Sequence, residues 1–457
     1  MFKLIQNEWI KIFSKVSTYI MLGLLLLLTF GMSFIMKKTS GYGAYSYTYT
    51  KENIESEIAY LNSSKPEGYE LQVAEYEYML NSGREWNINS WEYEAMQEAW
   101  QTWQVPLMTQ DLGDEEKNIL QSSFEETMRL IENSNWKGYA ELRLQQIEEG
   151  SGTAALKEAE SYPYRCMLEC EVEPGTGDWR EDRIREAGTA RKELALMDQQ
   201  REEGVYVSEE SYEDAENRKA VSEYCLEHGI EHYIDENGST GSRYWTAVLE
   251  ESMLVTIVSV IMIVLAGGCV ANEFTNGTIK FLLVNPVSRR KISISKYLTM
   301  CLVAFLLILG LYGVVLLVNL PFFGMDFHVP YLTAVNGTVT VGNSFFYCLQ
   351  KYLLEGVSLA AMTTMAFMIS SMVRSSALAI GIGVTALMGG SVLVTFLSQL
   401  GCDWGRYLIF SNLTLSQTAV GNTMFPNQSL EFSIAVVVVH IIIFLLMAYD
   451  GFTRREV

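Results

Sequence analysis

Long uncharged apolar stretches alternate with polar segments along this chain. A helix that spans a bilayer needs about 20 mainly apolar residues, and six stretches have that length and composition. They are Val16–Met36, Ser252–Ala271, Leu298–Leu320, Cys348–Met372, Ala377–Leu397 and Phe432–Tyr449. The first is too long for a signal peptide and no small-residue cleavage pattern follows it, so we expect it to be retained. The sequence therefore predicts a mainly α, polytopic membrane protein with six transmembrane helices.

Basic residues indicate how these helices are oriented. An even number of spans puts both termini on one side of the membrane. With the termini inside, eleven Lys and Arg are cytoplasmic and only four lie at or near the outer side. Since cytoplasmic loops carry an excess of Lys and Arg, we expect cytoplasmic N and C termini in a plasma membrane, and we expect that membrane to be bacterial.

Charge is distributed very unevenly along the 457 residues. The net charge is -21, but Thr39 to Trp245 alone carries -26 and the remainder +5. The orientation places this acidic segment, residues 37–245, outside the cell, between the first helix (16–36) and a transmembrane region (246–457) that holds five further helices.

The acidic segment has helical periodicity in several places. Apolar residues recur at helical spacing in two runs, which are Tyr93, Met96, Trp100 and Trp103, and Leu120, Phe124, Met128 and Ile131. Asp114 is a plausible helix start. From Asp178 to Glu203 apolar residues are sparse, which favours a long solvated helix or hairpin arm. We expect a mostly helical extracellular domain with a small core.

The chain begins with a short amphipathic element. Ile5, Trp9, Ile12 and Phe13 share one helical face, and lysines and amides take other positions. This pattern is typical of a helix that lies in the headgroup layer, and it predicts an interfacial helix over residues 1–15.

Two later outer segments, Pro321 to Tyr347 and Ser398 to Glu431, are rich in Gly, Asn, Pro and aromatic residues. We expect them to be loops with short interfacial helices. Glycines in the second and fifth spans favour close packing of helix backbones. They are Gly267, Gly268, Gly381, Gly383, Gly389 and Gly390.

Four of the seven cysteines fall on the outer side of the predicted topology. They are Cys166, Cys170, Cys225 and Cys402. Disulfides form in such an oxidising compartment, but no small-scaffold framework is present, so disulfides and free thiols both stay open.

Catalytic motifs are scarce. The chain contains no GxxxxGK[ST] loop, so we expect no ATP hydrolysis by this chain and no cofactor on it. His228, Glu231 and His232 match the H-x-x-E-H order of inverted zinc proteases. Gly229 weakens a helix there and Glu is abundant in the segment, so we assign no metal, and we expect no nucleic-acid partner.

Ionisable groups inside a membrane are expensive and are functional candidates. Glu355 in the fourth span and His440 in the sixth are candidates for a translocation pathway. The alternative is that His440 caps a helix carbonyl and that Lys351 and Glu355 form an i, i+4 pair.

The segment between the second and third spans, residues 272–297, combines basic and apolar residues. Asn272 to Leu283 is compatible with a helix, Pro286 ends it, and a basic turn follows. A short apolar helix on the cytoplasmic side suits docking into a groove on a soluble protein.

These loop residues resemble the membrane subunits of ABC type-2 exporters. The resemblance is carried by Glu273, Gly277, Thr278, Ile279, Lys280, Leu282, Leu283, Pro286, Val287, Ser288, Arg289 and Lys296. It implies that the ATPase-coupling residues are Glu273, Phe274, Gly277, Thr278, Ile279, Lys280, Leu282, Leu283, Pro286 and Arg289. The entry helix, the six spans and a short helical loop before the last span are similar as well. The resemblance covers residues 1–36 and 246–457, and it excludes the acidic segment.

The resemblance implies that two such permease subunits pair, as a homodimer or a heterodimer, in contact with membrane lipid. Each would hold a cytoplasmic ATPase that binds ATP and Mg and receives the coupling helix. The substrate would leave the cell or the membrane. A cationic antimicrobial peptide, a lipid-like compound and an ion are the candidate substrates, and a sensor or ligand-binding protein with an extracellular domain is the alternative function.

Overall fold

The computed structural model describes residues 1–39, 47–277, 288–373 and 375–453. The chain is mostly helical. In the first half, the helices are α1 (Phe2–Phe13), α2 (Val16–Thr39), α3 (Lys51–Ser64), α4 (Tyr69–Asn81), α5 (Trp91–Ala99), α6 (Val105–Thr109), α7 (Asp114–Glu132), α8 (Trp136–Glu149), α9 (Ala154–Cys170), α10 (Trp179–Glu202) and α11 (Glu209–His228). The second half contains α12 (Arg243–Glu250), α13 (Val255–Thr275), α14 (Arg289–Phe323), α15 (Ser344–Met372), α16 (Ser376–Gln399), α17 (Leu415–Ala419) and α18 (Leu430–Thr453).

Six helical segments of the described chain are long and apolar enough to cross a membrane, which confirms the predicted fold class. They are Val16–Thr39, Arg243–Thr275, Arg289–Phe323, Ser344–Met372, Ser376–Gln399 and Leu430–Thr453. The second is α12, a 3-10 turn over Glu251–Leu254, and α13 in continuous succession.

Contacts divide the described residues into two units. The first contains residues 1–39, 232–277, 288–331, 342–373 and 375–453, and it holds all six of these helices. The second contains residues 47–231 and 332–341.

Helix α13 is the centre of the first unit. It packs most extensively against α15 and then against α16. Glycines allow α13 and α16 to pack closely. A Cβ at Gly383 of α16 would lie 2.6 Å from Ile263 Cγ2 of α13, which is too short for a van der Waals contact. A Cβ at Gly267 would similarly lie 3.1 Å from Ile380. The backbones therefore approach more closely than larger residues would allow.

The second unit has an aromatic core. The buried residues at its centre are Ile54, Met79, Trp86, Trp91, Ala95, Met96, Ala99, Trp100, Trp103, Phe124, Met128, Ile131 and Tyr139. They lie mainly on α5, on the π-helical turn Trp100–Gln104 that continues it, and on α7. Both predicted apolar runs therefore contribute to one core, and α7 begins at Asp114 as predicted.

Helix α10 is one long helix that pairs with α11, which fits the predicted hairpin arm rather than the predicted solvated helix. It packs against α9 and α11, and Ile184, Ala187 and Ala190 are fully buried. Its packed face is built mainly from Ala and Gly rather than from large apolar residues. A Cβ at Gly188 would lie 2.4 Å from Pro163 on α9, so the two helices pack closely. Because Ala and Gly have small side chains, this packed face does not appear as a hydrophobic stripe in the sequence.

The segment predicted as a loop at Pro321 to Tyr347 contains a β-hairpin. After the short strands β1 (Thr48–Tyr49) and β2 (Trp86–Asn87), strands β3 (Pro330–Val335) and β4 (Thr338–Asn343) form a second two-stranded sheet. Asn336 and Gly337 have φ values of 48° and 70°, the left-handed geometry that an Asn-Gly hairpin turn requires. The second segment predicted as a loop, Ser398 to Glu431, contains α17 and the 3-10 turns Asp403–Tyr407 and Ile409–Asn412, in agreement with the expectation of short helices.

Gly383 offers a direct test of the α13–α16 contact. We expect Gly383→Ile to lower the stability of the protein by roughly 1–3 kcal/mol, because a larger side chain must displace Ile263. The thermal unfolding midpoint in detergent measures this effect. Gly381→Ile is the matched control, because nothing lies within 4 Å of a Cβ at Gly381 on the same helix. Equal midpoints for the two variants would contradict the close approach.

Candidate functional site

Four charged side chains from three helices meet inside the first unit. Glu8 and Lys11 come from α1, Glu273 from the last turn of α13, and Lys296 from α14. We call these four residues the ionic cluster. Two carboxylates and two ammonium groups give the cluster no net charge, which is the condition for burying it at an acceptable free energy.

Lys296 is the centre of the ionic cluster. Its side chain is 1% exposed, and its Nζ donates to Glu8 Oε2 at 2.8 Å and to Glu273 Oε1 at 2.7 Å. Lys11, which is 44% exposed, donates from Nζ to Glu8 Oε1 at 2.8 Å and to Glu273 Oε1 at 3.2 Å. Each carboxylate is therefore bound by both lysines.

Burial alone would raise the pKa of the Glu8 carboxyl, but the charges of Lys296 and Lys11 hold this pKa below its usual value. The carboxylate form of Glu8 is consequently the form that the folded protein stabilises. The entry helix is thus attached to the transmembrane helices by charge as well as by the apolar residues Trp9, Ile12 and Phe13.

The ionic cluster lies at the foot of the segment predicted to be a coupling loop. Glu273 lies two residues before α13 ends at Thr275, and Phe274 packs against the core of the first unit. Gly277 has φ 70°, the left-handed conformation that commonly ends a helix. The predicted helix from Asn272 to Leu283 is therefore interrupted after Thr275, where α13 ends, and its residues from 278 onward lie outside the described residues.

Several predicted coupling residues lie outside the described residues. They are Thr278, Ile279, Lys280, Leu282, Leu283 and Pro286. The chain is described again from Ser288, and Arg289 is the first residue of α14. The two helices that flank the loop, α13 and α14, are thus described, and the ion pair between Glu273 and Lys296 joins these two stems of the loop.

Glu8 was missed by the sequence analysis, although a signal for it exists. It occupies the same helical face as Ile5, Trp9 and Ile12. A carboxylate on such a buried face is stable only if a cation lies beside it. Lys296 was recognised only as the last residue of a motif, since its partner Glu8 is 288 residues away in the sequence.

The predicted pathway residues lie apart from the ionic cluster. His440 Nδ1 is 2.8 Å from the carbonyl oxygen of Val436, one turn earlier in α18. Glu355 accepts a hydrogen bond from Ser416. Lys351 Nζ donates to the carbonyl of Asn237 at 3.4 Å. The i, i+4 ion pair between Lys351 and Glu355 is therefore not formed, because each has found a different partner.

The HGIEH sequence does not form one helical metal motif. Helix α11 ends at His228, and Gly229 adopts φ 65° immediately after it. Within the part of the chain that the structure describes, no group of three or more His, Cys, Asp or Glu side chains is placed to hold a metal ion. All seven cysteines are free thiols.

A cavity of about 350 Å³ lies in the second unit, between aromatic residues such as Trp91, Trp136 and Tyr139. Its carboxylates already have cationic partners in the lining. Glu98 binds Arg143, Glu94 lies 2.7 Å from Arg185, and Glu160 lies 2.8 Å from Lys192. The cavity wall is thus electrically balanced, so the acidic character of this unit lies elsewhere on its surface.

Comparisons with known proteins find relatives for the C-terminal part of the chain. A family described as "Protein of unknown function (DUF2705)" matches residues 215–457. The "Uncharacterized protein YhcI" of Bacillus subtilis (strain 168) is 33% identical over 240 residues, 52% of this chain and 74% of that protein. The "Uncharacterized membrane protein YdbK" of the same organism is 33% identical over 203 residues, 44% of this chain and 78% of that protein. No solved structure matches the chain significantly.

The ionic cluster can be tested by substitution. Lys296→Met removes the buried cation that binds both Glu8 and Glu273, so we expect a loss of about 3–5 kcal/mol in the free energy of unfolding. Adding Glu273→Gln should recover part of this loss, because one uncompensated carboxylate is removed.

Denaturant unfolding of the purified protein measures both changes. Lys291→Met is the matched control, because Lys291 lies on the same helix with an exposed side chain, and it should change the stability by less than about 0.5 kcal/mol. Equal effects of Lys291→Met and Lys296→Met would show that the ionic cluster contributes nothing.

Proposed function

This chain belongs to the DUF2705 family, and from that premise we propose that it is the permease subunit of an ATP-binding-cassette exporter in a bacterial plasma membrane. The chain itself is non-catalytic in this proposal. ATP and Mg bind to a separate cytoplasmic ATPase subunit, and a second permease subunit, identical or different, completes the transporter.

One observation carries the proposal, which is the ionic cluster at the foot of the 278–287 loop. A loop that receives force from a soluble partner has to be attached rigidly to the helices that the force must move. Glu273 and Lys296 join the two stems of the loop by a 2.7 Å ion pair, and Glu8 joins both to the entry helix. A push on the loop would therefore move α1, α13 and α14 together.

The remaining support comes from the resemblance of the loop residues to ABC type-2 permeases. In this proposal Ile279, Leu282 and Leu283 contact the ATPase, and Glu273 acts as a positioning residue behind them. Glu355 and His440 remain candidates for the translocation pathway. If the ATPases close on ATP, the tilt of α13 passes through its extensive contact with α15.

The substrate follows from charge in this proposal. The segment Thr39 to Trp245 has a net charge of -26, and a field of that sign raises the local concentration of cations. A cationic antimicrobial peptide fits this field better than a neutral lipid-like compound. The balanced charges around the cavity of the second unit indicate that such a peptide would meet the outer surface of the unit instead.

The ATPase partner is tested by co-purification. A tagged chain from its own cells should carry a Walker-type ATPase, identified by mass spectrometry, together with ATP hydrolysis. Leu282→Asp should abolish both, because a carboxylate does not enter an apolar groove. Tyr206→Asp is the matched control, since Tyr206 is 89% exposed in the acidic segment.

Retention of the ATPase by Leu282→Asp, or its absence from the wild type, would contradict the permease proposal. Absence from the wild type would instead favour the sensor or ligand-binding alternative.

The proposed orientation is tested by thiol labelling in intact cells. Cys170 is exposed, so a variant that keeps it as the single cysteine should react with a membrane-impermeant maleimide. A cysteine-free variant carrying Ser288→Cys, at an exposed position beside the loop, should react only after the cells are permeabilised. The reverse pattern would place the acidic segment inside the cell.

A further inference from the structure

A second buried carboxyl group lies on the same helices, towards their opposite ends. Glu251 begins the 3-10 turn between α12 and α13, and it is fully buried. Its Oε1 lies 2.7 Å from Ser33 Oγ of α2, and its Oε2 accepts a hydrogen bond from Asn319 Nδ2 of α14 at 3.2 Å. Three helices therefore meet at this one side chain.

The surroundings of Glu251 differ from those of the ionic cluster in one respect. Among the described residues, no Lys, Arg or His forms an ion pair with its carboxyl group. Lys37 of α2 is directed elsewhere, with its ammonium 5.6 Å from the centre of the Phe323 ring. A buried carboxylate without a cation is very costly, so the group has to be neutralised in another way.

The hydroxyl and thiol groups around Glu251 carry no positive charge that could balance it. Tyr352 of α15 donates to the carbonyl of Val248, and Tyr244 of α12 to that of Leu316. Tyr312 of α14 donates to the carbonyl of Phe345. Cys348 of α15 is a buried thiol, and the neighbouring Glu250 is exposed. These groups leave the charge of Glu251 unbalanced.

The hydrogen bonds around Glu251 lack one donor. Ser33 has a single hydroxyl proton, but its Oγ lies 2.7 Å from Glu251 Oε1 and 3.1 Å from the carbonyl oxygen of Thr29. Asn319 is fully buried and donates to Glu251 and to the carbonyl of Val315, while its Oδ1 is a buried acceptor that receives no hydrogen bond from the described residues. The site thus holds more acceptors than donors.

We propose that Glu251 is a proton-binding site that joins α2, α13 and α14. One proton on Oε1 removes the buried charge and adds one donor to a site in which acceptors outnumber donors. The acid then donates to Ser33 Oγ, which donates its own proton to Thr29, while Oε2 still accepts from Asn319. Both carboxyl oxygens already lie at hydrogen-bond distance from a side chain, which suits a proton better than a metal ion between them.

The proton makes the junction of the three helices dependent on pH. When Glu251 loses this proton to water, its carboxylate carries a full negative charge without a cationic partner among the described residues and with too few hydrogen-bond donors. Deprotonation therefore favours an opening of the three helices at this end. This inference does not depend on the identity of the protein as an exporter, since it rests only on the residues around Glu251.

Infrared spectroscopy of the purified full-length protein tests the proposal directly. The wild type should show the carbonyl stretch of a protonated carboxylic acid at neutral pH, and Glu251→Gln should lose that band. Glu250→Gln is the matched control, because it removes an exposed carboxyl group next to Glu251 and should keep the band. Its loss in Glu250→Gln but not in Glu251→Gln would overturn the assignment.

Thermal stability provides the second measurement. A group that is neutral in the folded state but ionised in the unfolded state stabilises the protein at low pH and loses that effect as pH rises. The unfolding midpoint of the wild type should therefore fall more than that of Glu251→Gln as pH rises from about 4.3, the ordinary pKa of a glutamate in the unfolded chain, to about 8. If sodium at constant pH raises the wild-type midpoint and not that of Glu251→Gln, the site binds a metal ion and the proton assignment is wrong.

Ser33→Ala covers the case in which Glu251→Gln does not fold. This variant retains the carboxyl group but removes the acceptor of its proton, so the infrared band should disappear at a lower pH than in the wild type. An unchanged titration in Ser33→Ala would contradict the proposed proton position.

Discussion

The neutralisation of buried charge is the constraint on which the membrane-spanning unit depends. Lys296 is almost completely enclosed, and a lone ammonium in that position would destabilise the fold by more than most single apolar contacts stabilise it. Its two carboxylate partners come from α1 and α13, so satisfying one charge fixes the positions of three helices. Apolar packing alone would leave the entry helix free to shift along the membrane surface.

Much of the fold could be predicted from the sequence because hydrophobic length is a strong signal. All six spans were located from their apolar runs, and α7 begins at the predicted Asp114. For α10 the sequence left a solvated helix and a hairpin arm as alternatives, because Ala187, Gly188 and Ala190 contribute little hydrophobicity although they pack well. The β3–β4 hairpin was missed although its Asn-Gly turn is a local signal, because the whole segment was assigned to a loop between spans.

The candidate site was only partly predictable, for a different physical reason. Glu273 and Lys296 stood out through a local motif, and that motif carries information about neighbouring residues only. The contribution of Glu8 depends on a contact across 288 residues of sequence, and the role of Glu251 depends on Ser33 and Asn319, which no spacing rule connects. Conversely, the i, i+4 spacing of Lys351 and Glu355 offered an ion pair as an alternative to a pathway role, and each residue has a different partner in the fold.

The positions of Glu251 and Glu273 on one continuous helical segment also have a consequence for the lipid. Glu273 lies 22 positions after Glu251 in this segment, a length of about 33 Å at 1.5 Å per residue, close to the hydrocarbon thickness of a typical bilayer. Polar contacts hold each end of this segment to neighbouring helices. The segment therefore cannot slide along its neighbours to reduce the apolar thickness of the bundle. In a much thinner bilayer the whole bundle would have to tilt or the lipid would have to thicken around it, so acyl chain length becomes a determinant of where this protein resides.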